Sequence, residues 1–347
     1  MVPPPSPSRT AAAKPWFTWF CVLAVLWTVL VFQAGGFTTS INAGMAFLTW
    51  PLSNGSVNPD GWLTESDKFA EHIHRLLATI QGLLTVAVAT GLLWFEGRRW
   101  LRRLGVGAVG LVVLQGLLGG LRVLLDRQNI GGDGNLVATV FRVAHGVTAQ
   151  VYLCTMIAIA IAVSRWWTQR DCGLAREPSP TLRRAGLIAC GVVIVQLVLG
   201  AIMRHNNAAL AIPNFPWDAG GSLLPAHWDF RVAIHFAHRA WALVVAAALI
   251  HFAGRLWAAR NCGTVLAAGA VALMGLLALQ IFLGLLIIWT FRNPHAATMH
   301  MLIGAFLLAT CWSLTFLCHR FRFADVDLEA VRNNAAETVS TRSAVRA

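Results

Sequence analysis

The chain has 347 residues, of which 57% are hydrophobic and only 12% charged, about half of the ~25% usual in soluble domains. Mean hydropathy is +0.63 and the formal net charge is +12. These values exclude a soluble enzyme, a disordered chain and a nucleic-acid-binding domain. They leave an integral membrane protein with room for about eight spans of ~20 apolar residues each.

In chain order, segment 1–15 is Pro-rich and carries Arg9 and Lys14. No small-residue cleavage site follows a short apolar core, so Trp16 to Ala34 reads as a retained membrane anchor. Apolar stretches are predicted at 16–36, 69–95, 105–124, 139–164, 185–203, 231–253, 264–290 and 297–317. Barrel strands would be ~10 residues long and alternating. These runs are longer and continuously apolar, so helices are expected. Tyr occurs once and Trp 15 times, so an interfacial aromatic belt must be built from Trp.

The connection 37–68 is long and rich in Gly, Pro, Asn and Trp, and so is 204–230. Connections of this length commonly carry function. The second span opens with Glu71-x-x-His74-Arg75. Glu71 is the only carboxylate that the apolar pattern places inside a span, and it shares a helix face with His74. The third span holds Gln115-x-x-x-Gly119, and the fourth His145-x-x-x-Ala149. After an Arg-rich linker, 165–184, the fifth span ends in Leu199-Gly200-Ala201-Ile202. The sixth span carries His235-x-x-His238-Arg239, the seventh Gln280-x-x-x-Gly284 and the eighth His300-x-x-x-Gly304. The tail 318–347 is polar and shows no chemistry. The seven cysteines form no CxxC pair and avoid the two long loops, so no disulfide framework is expected.

Eighteen of the 27 Lys and Arg fall on the termini and the connections that follow the even-numbered spans. The positive-inside rule then places both termini in the cytoplasm of a multi-pass protein of the cell (inner) membrane. The two long loops face the opposite side.

The halves also match. Gly36 to Gly200 and His74 to His238 are both separated by 164 residues, and Gln115 and Gln280 stand in register with them. An even number of spans separates equivalent points. The expected architecture is therefore an all-α integral membrane protein of eight transmembrane helices, arranged as two tandem, parallel-repeat four-helix bundles. Their bounds are 16–164 and 185–317.

His74, His145, His238 and His300 lie on the second, fourth, sixth and eighth spans, about four to seven residues from the outer ends. Histidine inside a span faces a bundle interior or cavity. Hydrogen-bonded interhelix contacts, proton relays and bis-histidine haem ligation all use it. One per descending helix, two per half, is what haem ligation needs. His72, His205, His227, His251, His295 and His319 do not repeat and read as interfacial or structural. In the second half His235 stands where the first has Glu71, which suggests one catalytic and one electron-transfer half. Gln33, Gln115, Gln196 and Gln280 are each followed three or four residues later by Gly36, Gly119, Gly200 or Gly284. Such glycines serve close helix packing or contact with a flat macrocycle. Arg75, Arg204 and Arg239 near the outer ends are candidate partners for haem propionates.

The chain resembles the haem A synthase family over residues 20 to about 315. The resemblance is carried by Gly36-Phe37-Thr38-Thr39, Trp50-Pro51, Glu71-x-x-His74-Arg75 and His145 in the first half. In the second it is carried by Leu199-Gly200-Ala201-Ile202-Met203-Arg204-His205, Ala211-Ile212-Pro213-Asn214-Phe215-Pro216, His238-Arg239 and His300. It implies oxidation of the C8 methyl of haem O to a formyl group by successive hydroxylations, for cytochrome oxidase assembly. It implies a haem b cofactor on His238 and His300, substrate haem on His74 and His145, and an essential glutamate at Glu71. A haem O synthase and an electron donor are the partners it suggests, besides lipid. Some members carry a cysteine pair in the first outer loop; here 43–53 has none. The rival function is a non-enzymatic, di-haem b-type electron-transfer cytochrome. Glu71 discriminates, because an electron carrier has no need of a buried carboxylate beside one haem.

Overall fold

The computed structural model describes residues 14–127, 135–168, 174–218 and 220–323. Arg9, Arg170, Cys172 and most of the basic tail lie outside them. The described residues form helices α1 (Pro15–Ser40), α2 (Ser66–Phe95), α3 (Arg99–Arg127), α4 (Leu136–Ala162), the short α5 (Arg165–Thr168), α6 (Pro180–His205), α7 (Phe230–Ala258), α8 (Thr264–Trp289) and α9 (Pro294–Cys318). All but α5 are long and apolar enough to cross a membrane. Together these eight make a multi-pass membrane protein.

Local chemistry sets the helix starts. Ser179 accepts from the Leu182 N–H, Asp229 from Val232, Asn135 from Ala138, and Asn293 from His295 and Ala296. Each supplies an acceptor for N–H groups that have no partner within the helix. Proline stands in the first turn of α1, α6 and α9, where its missing N–H costs nothing. These caps begin the helices one to five residues before the apolar runs do. The apolar pattern does not register a polar first turn.

Within each half the helices close a square. α1 packs on α2 and α4, and α3 on α2 and α4; α6 packs on α7 and α9, and α8 on α7 and α9. Between halves, α1 meets α9 as α6 meets α4, and α4 meets α9. That pairing is consistent with two repeats related by a two-fold axis along the bundle. α9 is accordingly the most enclosed span. Backbone details recur at an offset of 165. Asn42 and Asn207 take left-handed φ of 58° and 53° just past α1 and α6. Ala43 and Ala208 then donate to Thr38 and Met203 carbonyls. Asn tolerates this conformation and ends a helix well. The Trp50–Pro51 and Phe215–Pro216 peptide bonds are both cis.

Exposed tryptophans collect at both ends. Trp16, Trp94, Trp166 and Trp257 lie at the arginine-rich end; Trp50, Trp217, Trp228 and Trp289 lie at the long-loop end. These are two belts of the interfacial kind. Two expectations need correction. α3 continues to Arg127, so Asp126 also sits in a spanning helix, and Glu71 is not the only carboxylate there. Three histidines also lie deeper than expected: His74, His145 and His238 are eight, nine and eight residues past their helix starts, while His300, at six, lies where expected. At ~1.5 Å per residue the first three are ~12–14 Å in and the last ~9 Å.

Candidate functional site

The structure brings the histidines together in pairs. His145 lies within electrostatic range of His74, and His238 within range of His300. In all four, Nδ1 is buried and has no hydrogen-bond partner. Each ring packs closely against a glycine on the neighbouring helix. A Cβ would come within 2.6 Å of His74 Cε1 from Gly35, 3.1 Å of His145 Cε1 from Gly119, 3.0 Å of His238 Cε1 from Gly200 and 3.3 Å of His300 Cε1 from Gly284. At Gly35 a Cβ would force the ring to move, and at the other three it would press tightly on the ring, so glycine favours the close approach at all four. The sequence pattern picked out Gly36 in the first helix, but its neighbour Gly35 holds the ring; Gly36 faces Met301 instead.

The glutamines split by half. Gln196 and Gln280 place Nε2 at 3.3 and 3.2 Å from Nε2 of His238 and His300. The Gln115 side chain instead bonds the hydroxyl of Thr148, and only its backbone acts on His145. Among the described residues no three His, Cys, Asp or Glu side chains form a metal cage. A haem iron asks for two imidazoles, and two facing imidazoles with unpartnered nitrogens, backed by glycine, fit such a group in each half.

Glu71 is buried at the long-loop end. Its Oε2 accepts from the Phe47 N–H at 3.1 Å and its Oε1 from Arg75 at 2.5 Å. Arg75 continues into the first long connection, donating to the carbonyls of Thr49 (2.7 Å), Phe47 (3.3 Å) and Leu52 (3.4 Å). The second half repeats this arrangement with a different group. Ile212 N–H meets Nδ1 of His235 at 3.2 Å, Arg239 Nε meets its Nε2 at 3.1 Å, and Arg239 donates to the Ile212 carbonyl at 2.8 Å. One slot therefore pins the loop to the bundle in both halves, filled by a carboxylate in one and an imidazole in the other. Arg204 ties the halves together. It donates to the Gly36 carbonyl at 2.7 Å and to Ser40 at 2.8 Å, and Ser40 meets Thr298 of α9 at 2.8 Å.

Two residues outside the candidate set lie beside this site: Arg122, one of the arginines clustered at the outer ends in the sequence, and His205, expected to be interfacial or structural. Arg122 of α3 lies within electrostatic range of Glu71, His74 and His145. Its Nε is buried without a hydrogen bond, 3.7 Å from Asp126 Oδ2, and Asp126 also pairs with Arg142 at 2.5 Å. Two arginines and one aspartate leave a net positive charge beside the first histidine pair. At the matching offset the second half has Ile287 and Phe291. His205, at the end of α6, reaches the first half's His145 and Arg122. The wide separation in sequence hid both of these proximities. His72, read as structural, is buried against Ser53 Oγ at 3.0 Å and the ring of Trp62.

A family model described as cytochrome oxidase assembly protein, COX15-CtaA, matches residues 18–312. A heme A synthase of Novosphingobium aromaticivorans is 27% identical, covering 90% of this chain and 98% of the relative. A heme A synthase of Sphingopyxis alaskensis is 28% identical, covering 88% and 93%. One of Listeria monocytogenes is 24% identical, covering 87% and 95%.

Proposed function

Because the chain belongs to the COX15-CtaA family of cytochrome oxidase assembly proteins, we propose that it works as a haem A synthase, an oxidoreductase that converts the C8 methyl of haem O to a formyl group. The observation that carries the division of labour is the shared loop slot. An imidazole suffices to pin the loop in the second half, so the carboxylate of the first half supplies something else: a negative charge one helical turn from His74.

In this reading His74 and His145 hold the substrate haem, and His238 and His300 hold haem b. When bound, haem b supplies one-electron transfer. Gly35, Gly119, Gly200 and Gly284 pack against the four imidazoles. Glu71, near the reacting methyl, stabilises developing positive charge or accepts the proton released there. Arg75 and Arg239 spend their donors on loop carbonyls and Arg204 on the interhelix clamp. Arg122 also donates to a loop carbonyl, that of Gly44, and pairs with Asp126, but Asp126 is shared with Arg142 and the Arg122 Nε has no hydrogen bond; on that ground we assign Arg122 to a propionate of the substrate. Turnover calls for an electron-transfer partner, and the substrate for a haem O synthase as its source.

The haems extracted from purified protein test the assignment. Haem B together with haem O or haem A is expected, and haem B alone in both halves would turn it toward the di-haem electron carrier. A narrower expectation concerns Gly35. In Gly35→Val the new Cβ meets the His74 ring and must turn it. Bound haem O per protein should fall, while the b-type spectrum of the second half stays unchanged. Equal loss from both halves would mean that Gly35 serves general packing.

We place the arginine-rich end in the cytoplasm. Single cysteines introduced within 41–65 and 206–218 should then react with an impermeant thiol reagent added outside, and cysteines at 97 or 176 should not. Reversed labelling would invert this orientation.

A further inference from the structure

We infer that Gln81, Thr85 and Tyr152, the polar floor beneath His74 and His145, recognise the alcohol of the hydroxyethylfarnesyl group and so select haem O over haem B. This rests on the reading that the first half takes haem O.

Gln81 stands seven residues after His74 on α2, and Tyr152 seven after His145 on α4. Seven residues bring a helix back to nearly the same face, ~10 Å further along. Both side chains therefore lie beneath the histidine pair, toward the bundle interior. Tyr152 is the only tyrosine in the chain. Gln81, Thr85 and Tyr152 are 2%, 0% and 3% exposed. The equivalent positions of the second half are Val245, Leu249 and Leu307, also buried and all apolar. Polar groups at this depth are costly and persist where they serve a function. Here they occur only in the half assigned to substrate.

The hydrogen bonds give the site its polarity. Thr85 Oγ1 donates to the Gln81 carbonyl at 2.6 Å. With that proton spent, Thr85 Oγ1 accepts from Tyr152 Oη at 2.6 Å. Tyr152 Oη in turn accepts from Gln81 Nε2 at 2.6 Å. The free group is Gln81 Oε1, buried and without a partner. The floor thus offers one acceptor and calls for a ligand with one donor. Haem O carries an alcohol where haem B carries a vinyl group. That substituent lies on the macrocycle edge away from the propionates. Arg122 draws the propionates toward the long-loop end, which sends the alcohol-bearing edge down toward Gln81.

The test is spectral titration of full-length protein with haem O and, separately, haem B, following occupancy of the first half. Wild type should prefer haem O. Gln81→Leu and Tyr152→Phe should each reduce the preference by about tenfold or more, because a buried group built to pair with a hydroxyl discriminates strongly against its absence. The low-spin spectrum of the second half should be unchanged, which reports folding. Tyr152→Phe keeps the ring and its packing, so it decides the matter if Gln81→Leu does not fold. Variants that keep the wild-type preference would overturn the inference and leave the cluster as interhelical packing glue. A wild type that takes up neither haem in this half, or haem B as readily as haem O, would overturn both the inference and the reading on which it rests.

Discussion

Glu71→Gln should lower conversion of haem O by about 10²–10⁴-fold, the scale of one well-placed acid–base or electrostatic group, or ~3–5 kcal/mol of barrier. The substitution keeps the size of the side chain and removes its charge. The second half, with its own helices and histidines, should retain a normal b-type spectrum. Haem O or a partly oxidised form should accumulate on the protein. The competing role is visible in the structure, since Glu71 also holds the Phe47 N–H and Arg75. Gln retains one acceptor oxygen, so it keeps one of those contacts and loosens the other. If anchoring were the whole role, the effect would be on folded yield, and haem A formed per folded molecule would stay near wild type. Glu71→His, which copies the second half's anchor, separates the roles further. It should restore the loop and leave conversion low. Recovery of conversion by Glu71→His would exclude a catalytic carboxylate.

His238→Ala and His300→Ala should each abolish the low-spin b-type spectrum. Either change removes one of the two imidazoles facing the same site, and a single remaining ligand leaves iron five-coordinate, high-spin and more weakly held. The Gln196 and Gln280 amides sit 3.3 and 3.2 Å from the two Nε2 atoms, and a neutral amide does not replace an imidazole as an iron ligand. Haem bound by the first half should survive in both variants. The measurement is the reduced-minus-oxidised spectrum with haem stoichiometry. If both variants keep the wild-type low-spin signal, the assignment of these ligands is wrong.

Much of this molecule is legible in its sequence, for a definite reason. In lipid a span must satisfy its own backbone, so long apolar runs leave helix as the sole solution; all eight spans were placed this way. The histidine pairs were legible because a repeat made His74, His145, His238 and His300 stand out from the six that do not repeat. The helix starts were not legible, because Asn135, Ser179, Asp229 and Asn293 act as caps through polar contacts that hydropathy does not register. Arg122 was legible as one of several outer-end arginines but not as the one beside Glu71 and His74, because that nearness depends on how α3 turns against α2. The Gln81–Thr85–Tyr152 cluster was hidden for a similar reason. Three ordinary residues become a site only when α2 and α4 face each other across the bundle interior.

The pairing of α4 with α9, and of α1 with α9 as α6 with α4, bears on how such a chain can come to have unlike halves. Were each four-helix unit a separate subunit, a two-fold dimer would display every side chain twice. A carboxylate at the loop slot would appear in both copies, and so would any tyrosine in the floor. Covalent fusion lifts that constraint. Once both units lie on one chain, Glu71 can stand opposite His235, and Tyr152 opposite Leu307, with the interface between them unchanged. The linker between α4 and α6 therefore does more than join two bundles: it allows one gene to specify two different sites on matching sets of helix pairs.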